Sequence, residues 1–208
     1  GLLLDTARNI VRGHRHVAEG LWARKKAPGM GVDLYGKTLG IVGLGDIGSA
    51  IARRAQVSGM RVIYHNRHRK LNDSALGVTY AAWEELLRTS DFIVVAVTLN
   101  PSTKGLFDAA AFSAMKEGVR FVNISRGKVV DTEALVAALQ SGKVAAAGLD
   151  VTAPEPLPGD HPLLRLPNIT VTPHIASATE ETRDAMALVT AQNIVAALTG
   201  EAMPAQIR

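Results

Sequence analysis

Six consecutive residues, Gly43-Leu44-Gly45-Asp46-Ile47-Gly48, have the G-x-G-x-x-G spacing that suits the phosphates of a nucleotide. An apolar run at 38–42 precedes them and a helix-like run follows, so the glycines fall in a turn between a predicted strand and a predicted helix. The first glycine permits a tight turn, the second lets backbone N–H groups approach a pyrophosphate, and the third lets helix and strand pack closely. The start of the helix, with Asp46 and Ile47, adds partial positive charge. The sequence therefore predicts a dinucleotide site rather than a plain strand-turn-helix connection.

The segment that follows the second predicted strand indicates which dinucleotide binds. In such sites an acidic residue about 20 positions past the turn bonds the ribose 2′-hydroxyl. Here Asn66 stands near that place, and Arg67, His68, Arg69 and Lys70 follow it. A carboxylate would repel a 2′-phosphate, whereas an arginine can bond one through charge-assisted contacts. We therefore predict NADP(H) over NAD(H), with Arg67 as the main phosphate contact, Arg69 as the second and Lys70 as a solvated residue.

Composition and charge limit the class of protein. The chain has 208 residues, of which 47% are hydrophobic, a length and composition that suit one substantial globular α/β domain. The net charge of +4 is dispersed apart from the basic cluster at 67–70, and aromatic residues make up only 4%, which argues against nucleic-acid binding. Cysteine is absent, so disulfides and thiolate chemistry are excluded. No apolar run is long enough to span a bilayer and no signal-peptide pattern is present, so we expect a soluble cytoplasmic protein.

Strands and helices alternate along most of the chain. The predicted strands are continuously apolar, as is typical of a parallel sheet covered by helices on both faces. The fold class is therefore α/β with a doubly wound, Rossmann-type sheet. Predicted strands are 38–42, 61–65, 91–97, 120–124, 144–151 and 169–171, and predicted helices begin near 2, 47, 83, 108, 132 and 180. Residues 23–37 carry Lys, Pro and Gly without periodicity and are predicted to form an extended arm or loop.

Polar segments follow the predicted strands, at the edge where ligands bind in such sheets. Three ionisable residues there belong to different loops: Arg126 in Asn-Ile-Ser-Arg-Gly, Glu155 in Ala-Pro-Glu-Pro-Leu-Pro, and His174 in Thr-Pro-His-Ile-Ala-Ser. Because the carboxyl ends of parallel strands share one edge, most of the candidate chemistry is expected on that edge. His65 and His68 lack further metal ligands in their loop, so no metal site is predicted.

Taken together, these segments resemble the D-isomer-specific 2-hydroxyacid dehydrogenases, and most closely the glyoxylate/hydroxypyruvate reductases among them. The resemblance covers nearly the whole chain in several motifs of fixed order. The supporting segments are 43–48, 90–96, 115–127, 145–151, 154–158 and 173–177.

The resemblance implies a role for each matching residue. Arg126 is expected to hold the substrate carboxylate and to polarise the keto oxygen, and His174 to protonate the alkoxide that forms when NADPH delivers hydride. Glu155 is expected to fix the tautomer of that imidazole. The cofactor contacts expected on the same basis include Asp150, at the position that orients the nicotinamide amide. The remaining ones are Thr98, Ser125, Arg126, His174 and Ser177.

Simpler interpretations of some of these residues stay open. Asp150 could cap a helix or turn, Ser125 could bond the adjacent turn, and the Thr98 hydroxyl could be satisfied at a strand end. Ser177-x-x-Glu180 also has the spacing of a capping box for the last helix.

The resemblance also implies an organisation that this chain departs from. Full-length members place a substrate domain, built mostly from about the first hundred residues, across a cleft from the cofactor domain, and that domain is largely absent here. We expect residues 1–22 to be a linker and dimerisation helix, 23–177 to be the dinucleotide-binding domain, and 178–208 to be a C-terminal helix that returns to the missing domain. A homodimer is expected from the first segment and the arm.

Three functions therefore remain open. The first is an NADP(H)-dependent reductase of glyoxylate or hydroxypyruvate, represented mainly by its cofactor domain. The second is a dinucleotide-sensing scaffold similar to the C-terminal binding protein corepressors, against which the basic cluster argues. The third is a truncated binding module that holds the cofactor without turnover.

Overall fold

The computed structural model describes residues 1–71 and 73–206, and its central feature is a seven-stranded, all-parallel sheet. The strand order is β3-β2-β1-β4-β5-β6-β7. The strands are β1 Thr38–Val42, β2 Arg61–His65, β3 Thr79–Tyr80, β4 Phe92–Val95, β5 Val119–Asn123, β6 Val144–Leu149 and β7 Ile169–Val171. The helices are α1 Leu2–Arg8, α2 Ile10–Ala18, α3 Asp46–Val57, α4 Trp83–Thr89, α5 Ala109–Ala114, α6 Thr132–Ser141 and α7 Glu180–Thr199. The predicted doubly wound α/β fold is confirmed.

The strand order reverses next to β1, which pairs with β2 on one side and β4 on the other. Ligands of open parallel sheets bind outside the carboxyl ends of the strands at such a switch point. The turn 43–48 leaves β1 at this position. The topology therefore places the glycine turn where a dinucleotide is expected.

Each central strand sends alternate side chains to two separate hydrophobic clusters, as the twofold period of a strand requires. On β1, Leu39 and Ile41 enter one cluster with alanines of α1 and α3, whereas Val42 enters the other with residues of α4, α5 and α6. Phe107, Phe112 and Phe121 centre the second cluster through edge-on and tilted ring contacts of 5.0–6.3 Å. Both faces of the sheet are thus covered, which explains its continuously apolar strands.

Three local predictions were wrong. The opening helix is two helices, because Asn9 adopts a left-handed conformation (φ 56°) and the Asp5 carboxylate accepts a hydrogen bond from the Val11 N–H at 2.7 Å. The two-residue strand β3 was missed. The capping box at Ser177 is not formed, since Thr179 is the N-cap of α7 and accepts from the Thr182 N–H at 3.2 Å.

The chain divides into two compact units, residues 1–173 and 174–208. The first contains the whole sheet and α1 to α6, and the second is dominated by the 20-residue helix α7. Within residues 1–71 and 73–206, no helix is both long enough and apolar enough to cross a membrane.

Candidate active site

The glycine turn after β1 contains two glycines that the chain itself requires. Gly43 has φ 99°, and a Cβ there would lie 2.5 Å from the Ala96 carbonyl oxygen. A Cβ on Gly48 would lie 2.1 Å from the Gly43 carbonyl oxygen. Both distances are far shorter than non-bonded atoms tolerate, so packing within the chain explains why positions 43 and 48 are glycine.

Gly45 is different, because no contact within the described chain explains its missing side chain. A Cβ on Gly45 would meet no atom within 4 Å, and its φ of −84° is open to any residue. Gly45 is the N-cap of α3, whose first N–H groups, from Asp46 and Ile47 onward, lack partners within the helix. The open space beside Gly45 therefore fits the close approach of a pyrophosphate to a helix N-terminus.

Asn66 ties the end of β2 to this turn. Its side-chain oxygen accepts a hydrogen bond from the Leu44 N–H at 2.7 Å, and the Gly43 N–H donates to the His65 carbonyl at 3.0 Å. Asn66 thus fixes the turn from the position where an acid would bond a ribose hydroxyl. His65 is the last residue of β2, and its ring packs edge-on to Trp83 at 5.7 Å.

The basic segment after Asn66 uses its two arginines differently. The Arg67 side chain is exposed. Arg69 instead donates its Nε–H to Asp73 Oδ2 at 2.7 Å. The Arg69 guanidinium lowers the pKa of Asp73, and the pKa of Arg69 is raised by the same bond. Arg69 therefore has a partner inside the protein, while its predicted phosphate contact stays a prediction.

The loop that carries Arg126 is organised by the buried residue Asn123 at the end of β5. The Asn123 oxygen accepts from both the N–H (3.0 Å) and the hydroxyl (2.9 Å) of Ser125, and its amide donates to the Arg126 carbonyl at 3.1 Å. Arg126 itself is exposed. The Ser125 hydroxyl therefore bonds the turn, as the simpler interpretation of the sequence expected.

The segment after β6 packs directly against this loop. A Cβ on Gly127 would overlap the Thr152 carbonyl, so the two backbones touch. The Thr152 N–H donates to Glu155 Oε2 at 3.1 Å, which fixes the carboxylate within its own turn. The peptide bonds that precede Pro154 and Pro156 are cis.

Asp150 and Thr98 also lie beyond the carboxyl ends of their strands. Asp150 is 3% exposed, and its Oδ1 accepts a hydrogen bond from the Thr172 hydroxyl at 2.5 Å. Because no helix begins directly after Asp150, it is not a helix cap. The Thr98 carbonyl accepts from the Thr103 hydroxyl at 2.7 Å. Both residues are therefore held by neighbours that the sequence pattern did not indicate.

His174 and Ser177 belong to the second unit. His174 has φ 55°, a left-handed conformation that is uncommon for a residue other than glycine. Such outliers concentrate at functional sites. No group of three or more metal-binding side chains is found in the part of the chain that the structure describes.

Sequence reasoning missed four residues whose hydrogen bonds hold the loops beyond the strands: Asn123, Thr172, Tyr64 and Asp73. Each is buried or half-buried and each acts through a hydrogen bond that depends on how a loop closes. Asn123 was the most accessible of them to prediction, because an asparagine at the end of an apolar strand often bonds the following turn.

The first unit is therefore a dinucleotide-binding domain of the doubly wound class. Residues 1–176 match the sequence profile of the family described as D-isomer specific 2-hydroxyacid dehydrogenase, NAD binding domain. The chain belongs to this family.

Individual relatives agree with that assignment. The chain is 47% identical to the glyoxylate reductase/hydroxypyruvate reductase of Homo sapiens, over 100% of this chain and 64% of the relative. It is 46% identical to the glyoxylate reductase of Pyrococcus furiosus, over 98% and 62%. A crystal structure of a protein from Thermus thermophilus superposes with a TM-score of 0.91 at 45% identity, over 99% and 65%. The chain thus spans less than two thirds of the length of these relatives.

Proposed function

We propose that this chain is the cofactor domain of an NADP(H)-dependent reductase of small 2-keto acids, with glyoxylate or hydroxypyruvate as substrate. The observation that carries the proposal is the edge of the sheet, where β1, β5 and β6 end in the glycine turn, the Arg126 loop and the segment 150–155. The reductases named among the relatives support the choice of substrate.

The preference for NADP(H) over NAD(H) is supported by the loop after β2. Asn66 is neutral where an acid would repel a 2′-phosphate, and the exposed guanidinium of Arg67 follows directly. Replacing Arg67 with Gln should weaken NADPH binding by at least about tenfold and leave NADH nearly unchanged, because only the phosphate uses that charge.

The chemistry assigned to the site is proton transfer coupled to hydride transfer. A reduced nicotinamide, when bound, supplies hydride to the carbonyl carbon. Arg126 holds the substrate carboxylate and polarises the keto oxygen, and His174 gives its proton to that oxygen, so the product is the 2-hydroxy acid. Glu155 fixes the tautomer of His174, and the left-handed backbone of His174 supports a functional role for this residue.

Further cofactor contacts belong to the same proposal. Asp150 would orient the nicotinamide amide from its place directly after β6. Thr98, Ser125 and Ser177 would contact the cofactor, with Ser125 acting through its backbone because its hydroxyl bonds Asn123.

The assembly we propose is a cytoplasmic homodimer that forms through the opening helices and the arm at 23–37. Hydrophobic side chains exposed in this region support that interface: Ile10, Val17, Trp22 and Met30 are between 53% and 94% exposed. Sedimentation at micromolar concentration should give twice the monomer mass, and a strictly monomeric species would reject the dimer.

The reductase is tested with the full-length protein that contains this chain. Mixed with NADPH and glyoxylate, it should consume the absorbance of the reduced nicotinamide. His174→Ala should abolish turnover and retain most of the NADPH affinity, because the other proposed cofactor contacts remain. If NADPH binds but none of the 2-keto acids is reduced, the protein is a binding module and the reductase proposal fails.

A further inference from the structure

A buried tyrosine hydroxyl lies beneath the basic segment that follows β2. Tyr64 is fully buried, and its hydroxyl donates to Asp73 Oδ2 at 3.0 Å and accepts from the Lys70 N–H at 2.9 Å. The hydroxyl therefore links Lys70, in the middle of the loop that follows β2, to Asp73 at the far end of that loop. A hydroxyl in this environment must keep both partners, because an unpaired buried polar group is costly.

Asp73 is itself fixed in place. It is 3% exposed, and its carbonyl accepts from the Leu76 N–H at 3.1 Å in the 3₁₀ turn that begins at Ser74. Its carboxylate accepts from both Tyr64 and the Nε of Arg69, the latter at 2.7 Å. Asp73 thus connects the strand, the loop and the next turn.

The near end of the loop has its own anchor, the hydrogen bond from the Leu44 N–H to Asn66. Arg67 lies between the anchor at Asn66 and the anchor at Lys70. The backbone that carries its guanidinium is therefore restrained from both sides although the side chain is exposed.

We propose that Tyr64 and Asp73 are positioning residues for cofactor specificity, which hold the segment 66–70 in the conformation in which Arg67 meets the adenosine 2′-phosphate. The inference rests on the proposed NADP(H) preference and adds the residues that make it possible. Neither Tyr64 nor Asp73 touches the cofactor; both act through the backbone of the loop.

Preorganisation is the physical reason. A loop that is already ordered loses little conformational entropy when the phosphate binds, whereas a released loop must be ordered at the expense of affinity. NADH has no 2′-phosphate and does not use Arg67, so it gains nothing from the ordered loop. The network should therefore change the ratio of the two affinities and not both affinities equally.

The protonation states agree with this role. Burial raises the pKa of the Tyr64 phenol, away from neutral pH, where a phenol is already a donor. The bond from Arg69 lowers the pKa of Asp73, also away from neutral pH, where the carboxylate is already a charged acceptor.

The test is calorimetric titration of the full chain with NADPH and with NADH. Tyr64→Phe removes the hydroxyl without changing charge or volume appreciably, and Tyr35→Phe, at a tyrosine that is 82% exposed, is the matched control. Loss of the hydrogen bonds should weaken NADPH by about two- to tenfold in Tyr64→Phe, with NADH changed by less than about twofold. Tyr35→Phe should match the wild type with both cofactors.

Asp73→Asn supplies an independent variant. It releases Arg69 and weakens the bond to Tyr64, so we expect NADPH to bind more weakly here too. If Asp73→Asn binds NADPH more tightly, the carboxylate acts by repelling the phosphate or by withholding Arg69 from it, and the positioning role of Asp73 is overturned.

The outcomes separate the two proposals. A wild-type chain without preference for NADPH overturns the proposed cofactor preference itself. A wild-type preference that Tyr64→Phe leaves unchanged, with or without a lower melting temperature, overturns the positioning role alone. A merely structural tyrosine would lower the melting temperature and leave the affinity ratio as it was.

Discussion

Replacing Gly45 with alanine separates the needs of the fold from the needs of the ligand. The new methyl group would meet no atom of the described chain within 4 Å, and the backbone at φ −84° accepts alanine without strain. Alanine is a poorer N-cap than glycine, which costs a few tenths of a kcal/mol or more, while the less flexible unfolded chain returns about 0.4–1 kcal/mol. The free energy of unfolding should therefore change by less than about 1 kcal/mol.

The affinity for the cofactor, in contrast, should fall. The methyl group would occupy the space beside the N-terminus of α3 that we assign to the pyrophosphate. Each charge-assisted hydrogen bond lost there is worth about 1.5–3 kcal/mol, so even one corresponds to at least about a tenfold weaker NADPH complex. Gly45→Ala should thus keep the stability of the wild type and bind NADPH more weakly.

Thermal unfolding and calorimetric titration measure the two effects separately. Gly48→Ala is the matched control, because its Cβ would lie 2.1 Å from the Gly43 carbonyl oxygen. Overpacking of this kind costs about 1–3 kcal/mol, which lowers the melting temperature by several degrees in a domain of this size. If Gly45→Ala binds NADPH as the wild type does, the pyrophosphate does not lie beside Gly45 and the open space there has another cause.

Three further predictions concern stability and substrate binding. Burial raises the pKa of Asp91, but the bonds from Lys116 and Thr38 lower it by more, so the folded pKa lies below the unfolded one. The stabilisation by Asp91 is therefore present above the unfolded pKa and is lost as pH falls through the folded pKa. Asp91→Asn should be less stable than the wild type in unfolding curves at neutral pH and should converge with it in acid. Asn123→Ala should cost about 1–3 kcal/mol by thermal unfolding and should raise KM for the 2-keto acid more than Kd for NADPH, because it frees the Arg126 loop; equal changes in both constants would contradict this. Phe107→Ala should cost about 3–5 kcal/mol at a fully buried aromatic contact, and a loss below about 1 kcal/mol would mean that the core is not packed as described.

The regular part of the fold could be predicted from the sequence because its signals are local. The strands at 61–65 and 169–171 have the predicted bounds, since each contains apolar, β-branched residues and lies between turn residues. The two-residue strand β3 could not be found this way. It pairs only with Ile63 and Tyr64 of β2 among the described residues, and two residues are too few to show a period.

The break in the opening helix has a tertiary cause that local sequence does not reveal. Asp5 reaches the Val11 N–H and also accepts from the Thr170 hydroxyl on β7, so the turn at Asn9 depends on contacts far along the chain. Asparagine tolerates the left-handed conformation better than most residues, which is the only local sign of the break.

The part of the candidate site that could be predicted consists of ionisable side chains that directly follow strands in the sequence. Arg126, Asp150 and Glu155 lie after β5 and β6 as the sequence predicted. Asn123 bonds its own turn and could have been found, whereas Thr172 was missed because its hydrogen bond to Asp150 joins two loops and leaves no spacing in the sequence. The same limit applies to Arg69, whose bond to Asp73 requires the loop to fold back over Tyr64.

A crystal structure of the chain with NADPH would test the central claim most directly. We expect the pyrophosphate beside Gly45, within hydrogen-bond distance of the first N–H groups of α3, and the 2′-phosphate on the guanidinium of Arg67. A dinucleotide bound elsewhere on the sheet, or an Arg67 side chain turned away from the 2′-phosphate, would contradict the proposed cofactor site.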